Sequence, residues 1–277
     1  MQKKINLDFI QKQKQSKKPF VAITAYDYTS AKLVDSVGIP LILVGDSAAM
    51  VVYGYQNTIP VTMEEMIFVV SSVSRGAKHS MIVADMPFLS YQQSVEIAIS
   101  NAGKFIKIAG AHCVKLEGGE EMCPQIKGIS DSGIPVVGHI GLTPQSIHKL
   151  SGYKVQGKTK QDAKKLFQDA LAIEKAGAFS IVLEGVPEEL AKFITDNLNI
   201  PTIGIGAGRY CDAQIQVFHD LLGLFDTFSP KHAKKYTDLN TKIYDSLIKY
   251  KHEVESMVFP DESHCVHIDT DIINSIK

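Results

Sequence analysis

A chain of 277 residues with 45% hydrophobic and 21% charged residues has room for one large core or two small ones, and its composition is that of a globular protein. A formal net charge of -1, with Arg75 and Arg209 the only arginines, supplies neither the field nor the bidentate grip that nucleic-acid binders use, so neither nucleic acid nor a membrane is an expected partner. No apolar run approaches the roughly 20 residues that span a bilayer, and the lysines at 3, 4, 12, 14, 17 and 18 surround no signal-peptide core, so the expected compartment is the cytoplasm.

In chain order, residues 1 to 18 read as a polar opening helix. Short β-branched apolar runs then alternate with longer helical segments. The expected strands are Phe20 to Ala25, Leu41 to Gly45, Met81 to Ala84, Cys113 to Leu116, Pro135 to Gly138, Ser180 to Leu183, Thr202 to Ile205 and Gln214 to Phe218. Glycine recurs where a helix would stop before a strand, at Gly38, Gly110, Gly133 and Gly177. Lys160 to Lys175 has the length and polarity of a connecting helix. Eight such units predict a TIM-type (β/α)8 barrel, an α/β fold in one domain across 1–277, with the barrel core at about 19–230. An open doubly wound sheet would use the same units; the closed barrel is preferred because the repetition runs on without a linker. Lys231 to Met257 reads as a terminal helix within a helical segment of about 231–259, and the tail after Pro260 is polar and expected to be poorly ordered. Cys113, Cys123, Cys211 and Cys265 have no metal or redox spacing and read as reduced thiols.

Reactive groups of a barrel gather where strands end. Here the second strand ends in Asp46-Ser47, the third in Asp85, the fourth in Lys115-Leu116-Glu117, the fifth in His139 and the sixth in Glu184. Each has a structural reading taken alone: Asp46 as a helix cap, Asp85 as a turn residue, His139 as a bonded core histidine, Lys115 with Glu117 as an ion pair. Together they read more economically as one site. Lys115 and Glu117, two apart on a strand, point to one face, and burying them without partners is costly. A hard cation held by Asp46, Asp85 and Glu117, directly or through water, would offset that cost, and an oxygen-only set favours Mg²⁺ over zinc. Gly204-Ile205-Gly206-Ala207-Gly208 looks like a dinucleotide fingerprint, but it follows the seventh strand and Arg209 displaces the last glycine, so it reads as a close-packed loop over the site.

Five segments carry a family likeness: Gly45-Asp46-Ser47, Asn57-Thr58-Ile59-Pro60-Val61-Thr62, Lys115-Leu116-Glu117-Gly118-Gly119, Gly138-His139-Ile140-Gly141-Leu142-Thr143-Pro144-Gln145 and Gly152-Tyr153-Lys154-Val155-Gln156-Gly157. With these in order, from about Thr24 to Lys231, the chain resembles the ketopantoate hydroxymethyltransferases. That resemblance implies transfer of a one-carbon unit from 5,10-methylenetetrahydrofolate to 3-methyl-2-oxobutanoate, giving 2-dehydropantoate for pantothenate and coenzyme A synthesis. It implies Asp46 and Asp85 as Mg²⁺ ligands with Glu117 in the outer or water-linked shell, Ser47 and Lys115 on the substrate carboxylate or oxo group, Glu184 as general base and His139 lining the pocket. It also implies a large homo-oligomer, commonly a decamer. The chain departs from the family pattern at Glu262-Ser263-His264-Cys265-Val266, which bears on C-terminal packing or assembly.

Three rivals carry their own signatures. A Mg²⁺-dependent lyase or mutase of the isocitrate lyase type would place a reactive cysteine in a K-[KR]-C-G-H loop, which the chain lacks. A Schiff-base aldolase would use Lys115 as nucleophile. A non-catalytic barrel would bind ligand without turnover.

Overall fold

The computed structural model describes residues 4–150, 152, 154–225 and 230–276. Tyr153 of the Gly152 to Gly157 segment lies outside the described residues. Eight parallel strands close into a barrel in sequence order: β1 Phe20–Thr24, β2 Leu41–Val44, β3 Met81–Asp85, β4 Cys113–Glu117, β5 Val136–Gly141, β6 Ser180–Glu184, β7 Thr202–Ile205 and β8 Ala213–Gln216. The first seven strands fall close to where expected, with β5 running three residues further than the sequence suggests, so His139 sits within its strand rather than at its end, whereas the eighth stops at Gln216 and Phe218, expected in the strand, opens a helix.

The helices are α1 Leu7–Gln15, α2 Tyr28–Ser36, α3 Ala48–Val51, α4 Met63–Gly76, α5 Val95–Lys107, α6 Cys123–Asp131, α7 Ile147–Leu150, α8 Lys160–Lys175, α9 Glu188–Asn197, α10 Phe218–Leu222, α11 Leu239–Glu255 and α12 Thr270–Asn274. Side-chain caps start several of them: Asp27 and Thr62 form capping boxes with Ser30 and Glu65, and Thr159 accepts from the Asp162 amide. The terminal helix starts at Leu239, not at Lys231, because Asp238 caps it through the Thr241 amide. The tail is not plain coil either: a 3₁₀ turn at Glu262–His264 and α12 stand within it.

Two apolar layers hold the barrel. The outer one packs α2, α4, α5, α6, α8 and α9 onto the strands through residues such as Val70, Phe105, Ile129 and Ile173. The inner one is the barrel filling, Phe20, Ala22, Leu41, Met81, Val83, Cys113, Val137, Val182, Ile203 and Ile215, with Ile10 of α1 packed among them. Contacts of α1 place Ile10 at the end where the strands begin: Ile5 N donates to His79 O just before β3, and Lys14 pairs with Asp212 just before β8. Beside them Asp35, at the end of α2, ties down the entry to β3 by accepting from the backbone amides of Lys78, His79 and Ser80.

Candidate active site

Strand alternation and register together assemble the site. Asp85 pairs with Lys115 across β3 and β4, and Glu117 pairs with His139 across β4 and β5. Lys115 and Glu117 both point into the barrel, as their spacing predicts, and both are buried with Asp46, Asp85 and His139. Nζ of Lys115 lies 2.7 Å from Asp85 Oδ1 and 3.5 Å from Glu117 Oε1. His139 stands between two carboxylates, Nδ1 at 3.3 Å from Glu117 Oε1 and Nε2 at 3.3 Å from Glu184 Oε2. Both contacts are ion-pair approaches without hydrogen-bond alignment.

The charge balance is tight. Burial, and then the neighbouring Asp85 carboxylate, push the Asp46 carboxyl well above its ordinary range, with Lys115 only partly opposing them. Burial likewise raises Asp85 against the pull of Lys115. Burial acts the same way on Glu117, but there Lys115, His139 and the Gln145 amide more than offset it and hold the carboxylate low. Burial and Lys115 act to depress His139, yet Glu117 and Glu184 outweigh them and carry the imidazole up to about 9, so it is cationic at neutral pH. Lys115 also stays charged, because Asp85, Glu117 and Asp46 outweigh its burial.

Two residues without a sequence-assigned role hold this set in place. The Gln145 amide nitrogen Nε2 donates to Asp46 Oδ2 and to the Met86 carbonyl, each at 2.9 Å, while its backbone N–H donates to Glu117 Oε2 at 3.0 Å. The Tyr91 hydroxyl donates to Gln145 Oε1 at 2.8 Å and accepts from the Glu117 amide at 3.1 Å. The Asp46 amide in turn donates to Asp85 Oδ2 at 3.1 Å. Gln145 closes the quoted Thr-Pro-Gln motif, a signal that an amide follows the fifth strand; Tyr91 lies in a loop with no local signal.

Above this floor opens a cavity of about 360 Å³ at the C-terminal mouth of the barrel. Asp46, Ser47, Asp85, Lys115, Glu117, His139 and Glu184 all line it, so the structure brings every sequence-selected residue to one place. Ser47 Oγ is 2.8 Å from the Tyr26 hydroxyl. The buried Thr58 hydroxyl, on the same wall, has no hydrogen-bond partner among the described residues. Of the glycine-rich run expected over the site, the residue that lines the cavity is Ile205, the last of β7, while Gly206 packs on His232, which lines it as well. A further wall, from β8 and α10, brings Gln216, Val217 and Asp220, which sequence reading did not select because β8, like β1 and β7, has no ionisable residue at its end.

Among the described residues no three His, Cys, Asp or Glu side chains stand as a ready cation cage, since the Lys115 ammonium lies within reach of both Asp85 and Glu117. The donor set still fits a hard cation that shares its coordination with substrate or water. Asp46, Asp85 and Glu117 offer oxygen only, and the raised Asp46 carboxyl marks negative charge that Lys115 does not fully neutralise.

Comparison with known proteins gives the site a context. The 3-methyl-2-oxobutanoate hydroxymethyltransferase of Thermoanaerobacter sp. (strain X514) is 53% identical over 264 residues, 95% of this chain and 96% of that one. The enzyme of the same name from Clostridium acetobutylicum is 53% identical over 263 residues, 95% of each chain. Solved structures of similar fold include phosphonopyruvate hydrolase, with a TM-score of 0.61 at 11% identity over 98% of this chain and 94% of that one. Another is the phosphoenolpyruvate phosphomutase of Streptomyces platensis subsp. rosaceus, with a TM-score of 0.62 at 13% identity over 97% and 94%. At such identities these two show the barrel alone. The family model described as ketopantoate hydroxymethyltransferase matches residues 4–262, and with relatives alike over nearly the whole length this chain belongs to that family of transferase enzymes.

Proposed function

We propose that this protein, in the cytoplasm, transfers a one-carbon unit from 5,10-methylenetetrahydrofolate to 3-methyl-2-oxobutanoate and releases 2-dehydropantoate. The observation that carries the reading is the row Glu117, His139, Glu184, which sets one carboxylate at the cavity beside a cationic imidazole. Glu184 is less buried than its neighbours and is the acid best placed to take a proton from a ligand.

In this reading the substrate carboxylate and ketone oxygens meet Lys115 and Ser47. Asp46 and Asp85, with Glu117 behind them, would hold Mg²⁺, which when bound supplies Lewis-acid charge toward those same oxygens. Glu184 takes the proton from C3, and Lys115 stabilises the negative charge that develops on the substrate oxygen. C3 then forms a carbon–carbon bond to the folate-borne carbon; water supplies the hydroxyl oxygen, and tetrahydrofolate leaves with the balancing proton. The fixed positions of Asp46 and Glu117, set by Gln145 and Tyr91, mean that little reorganisation is needed at the moment of reaction.

Assembly of several copies belongs to this reading. No residue of α11 is buried, and it exposes Ile243, Tyr244, Leu247, Ile248 and Val254. Light scattering after size exclusion is expected to give a multiple of the 30.4 kDa chain mass; a monomer at micromolar concentration would remove the oligomer from the proposal.

The reaction is tested by incubating the protein with both substrates and Mg²⁺, following 2-dehydropantoate by mass spectrometry beside a sample in EDTA. Metal-dependent product is expected. No product from folded protein would overturn the reading.

A further inference from the structure

The cavity is chemically two-sided. In a closed barrel ordered β1 to β8, the strand opposite β4 is β8, so the wall built by β8 and α10 faces the Lys115–Glu117 strand across the mouth. Asp46, Asp85, Lys115, Glu117, His139 and Glu184 form one interacting cluster on the β2 to β6 side. Asp220, on α10, lines the same cavity outside that cluster, and its carboxylate has no hydrogen bond or ion pair to any described residue. This side of the lining carries the apolar Ile215, Val217 and Phe225 together with Gln216. Burial raises its carboxyl to about 6, so at neutral pH it is mostly an acceptor held in an unfavourable environment.

A carboxylate that lines the pocket without a partner among the described residues repels a 2-oxo acid, which is itself an anion. It must serve a ligand part that donates hydrogen bonds and carries no negative charge. Of the two substrates proposed above, only folate has one: the 2-amino group and adjacent N3–H of the pterin form a flat pair of donors that matches the two oxygens of a carboxylate. The apolar lining suits the faces of that bicycle. Exposed Lys154 and Lys231 at the mouth suit the anionic glutamate end that must lead outward.

We propose that Asp220 is the pterin anchor, accepting the amino and N3–H donors and so setting the folate-borne carbon against the substrate held over Lys115. This rests on the hydroxymethyl-transfer reading. It makes Asp220 a specificity-determining residue for the folate and not a participant in proton removal.

Steady-state kinetics of Asp220→Asn against the wild type test it. KM for 5,10-methylenetetrahydrofolate is expected to rise at least about tenfold, from loss of a charge-assisted pair, while KM for 3-methyl-2-oxobutanoate stays within about twofold. An unchanged folate KM, or equal shifts in both, overturns the assignment. A second measurement needs no variant. Pterin is expected to compete with the folate on the wild-type enzyme at least about tenfold better than lumazine, which carries an oxo group in place of the 2-amino group; equal potency overturns it. Wild-type turnover separates the two failures: product without these effects removes the role of Asp220 alone, and no product removes the reading beneath it.

Discussion

Lys115 and Asp85 face each other across β4 and β3 with Nζ and Oδ1 2.7 Å apart and both side chains almost wholly out of solvent. A lysine so paired is held as an ammonium, and an ammonium is no nucleophile. Borohydride added with 3-methyl-2-oxobutanoate is therefore expected to leave the protein mass unchanged. A reduced adduct on Lys115 would restore the Schiff-base mechanism. Lys115→Met, which strands the carboxylates in the floor, should lower unfolding free energy by about 3 kcal/mol or more in urea titrations.

Glu184→Gln keeps the shape of the base and removes its proton affinity. The rate is expected to fall by roughly 10²- to 10⁴-fold while substrate still binds. Exchange of the C3 proton of 3-methyl-2-oxobutanoate in D₂O, followed by NMR, isolates that step from folate chemistry. Exchange at the wild-type rate would move the base to another residue.

Asp85→Asn separates metal binding from fold. In the wild type, Mg²⁺ with substrate should raise the melting temperature, since a ligand bound only to the native state stabilises it by mass action. In the variant that rise is expected to shrink by at least half and the Mg²⁺ concentration for half-activity to climb at least tenfold. An unchanged Mg²⁺ dependence would remove Asp85 from the ligand set.

Gln145→Ala leaves Asp46 Oδ2, the Met86 carbonyl and the Tyr91 hydroxyl without their partner in a buried region. The expected cost is about 1–3 kcal/mol of stability. Activity should fall more than stability accounts for, because Asp46 loses its orientation. A variant as active as the wild type at a temperature where both are folded would show that Asp46 needs no such support.

Asp35 predicts an acid limb of stability far from the site. Burial alone would raise its carboxyl, but donors from Lys78, His79 and Ser80 hold it well below the ordinary range. A group depressed in the folded state contributes fully above its unfolded pKa of about 4 and loses that contribution as pH falls through the folded value. Asp35→Asn should therefore cost about 2 kcal/mol at pH 7, and the gap to the wild type should narrow below about pH 4 in urea melts. A gap constant from pH 7 to pH 3 would show that charge plays no part.

Much of the fold was legible because both faces of a barrel strand are buried: Ile42, Ile82, Val114 and Ile181 pack outward while Leu41, Met81, Cys113 and Val182 pack inward, leaving continuous apolar runs. The acidic floor was legible for the opposite reason, as Asp85, Glu117 and Glu184 break those runs at their last residue. Tyr91 and Gln145 were not assigned roles, since their importance lies in hydrogen bonds spanning 26 to 99 positions in sequence. Asp220 escaped likewise, because the end of β8 carries Gln216 and the acid enters only from the following helix. The start of α11 was misplaced by eight residues because Lys231 to Asp238 has helical polarity but no cap before Asp238 itself.

Ile10 closes the barrel from below, one aliphatic side chain seated among Phe20, Leu41 and Met81. Ile10 thus belongs to the barrel filling at the end away from the mouth that Asp220, His232 and Glu184 line. Shortening this side chain would leave a cavity in that filling, beneath charges whose strength depends on their dryness. The opening helix, remote from any reacting atom, therefore belongs to the packing on which the floor of the pocket rests.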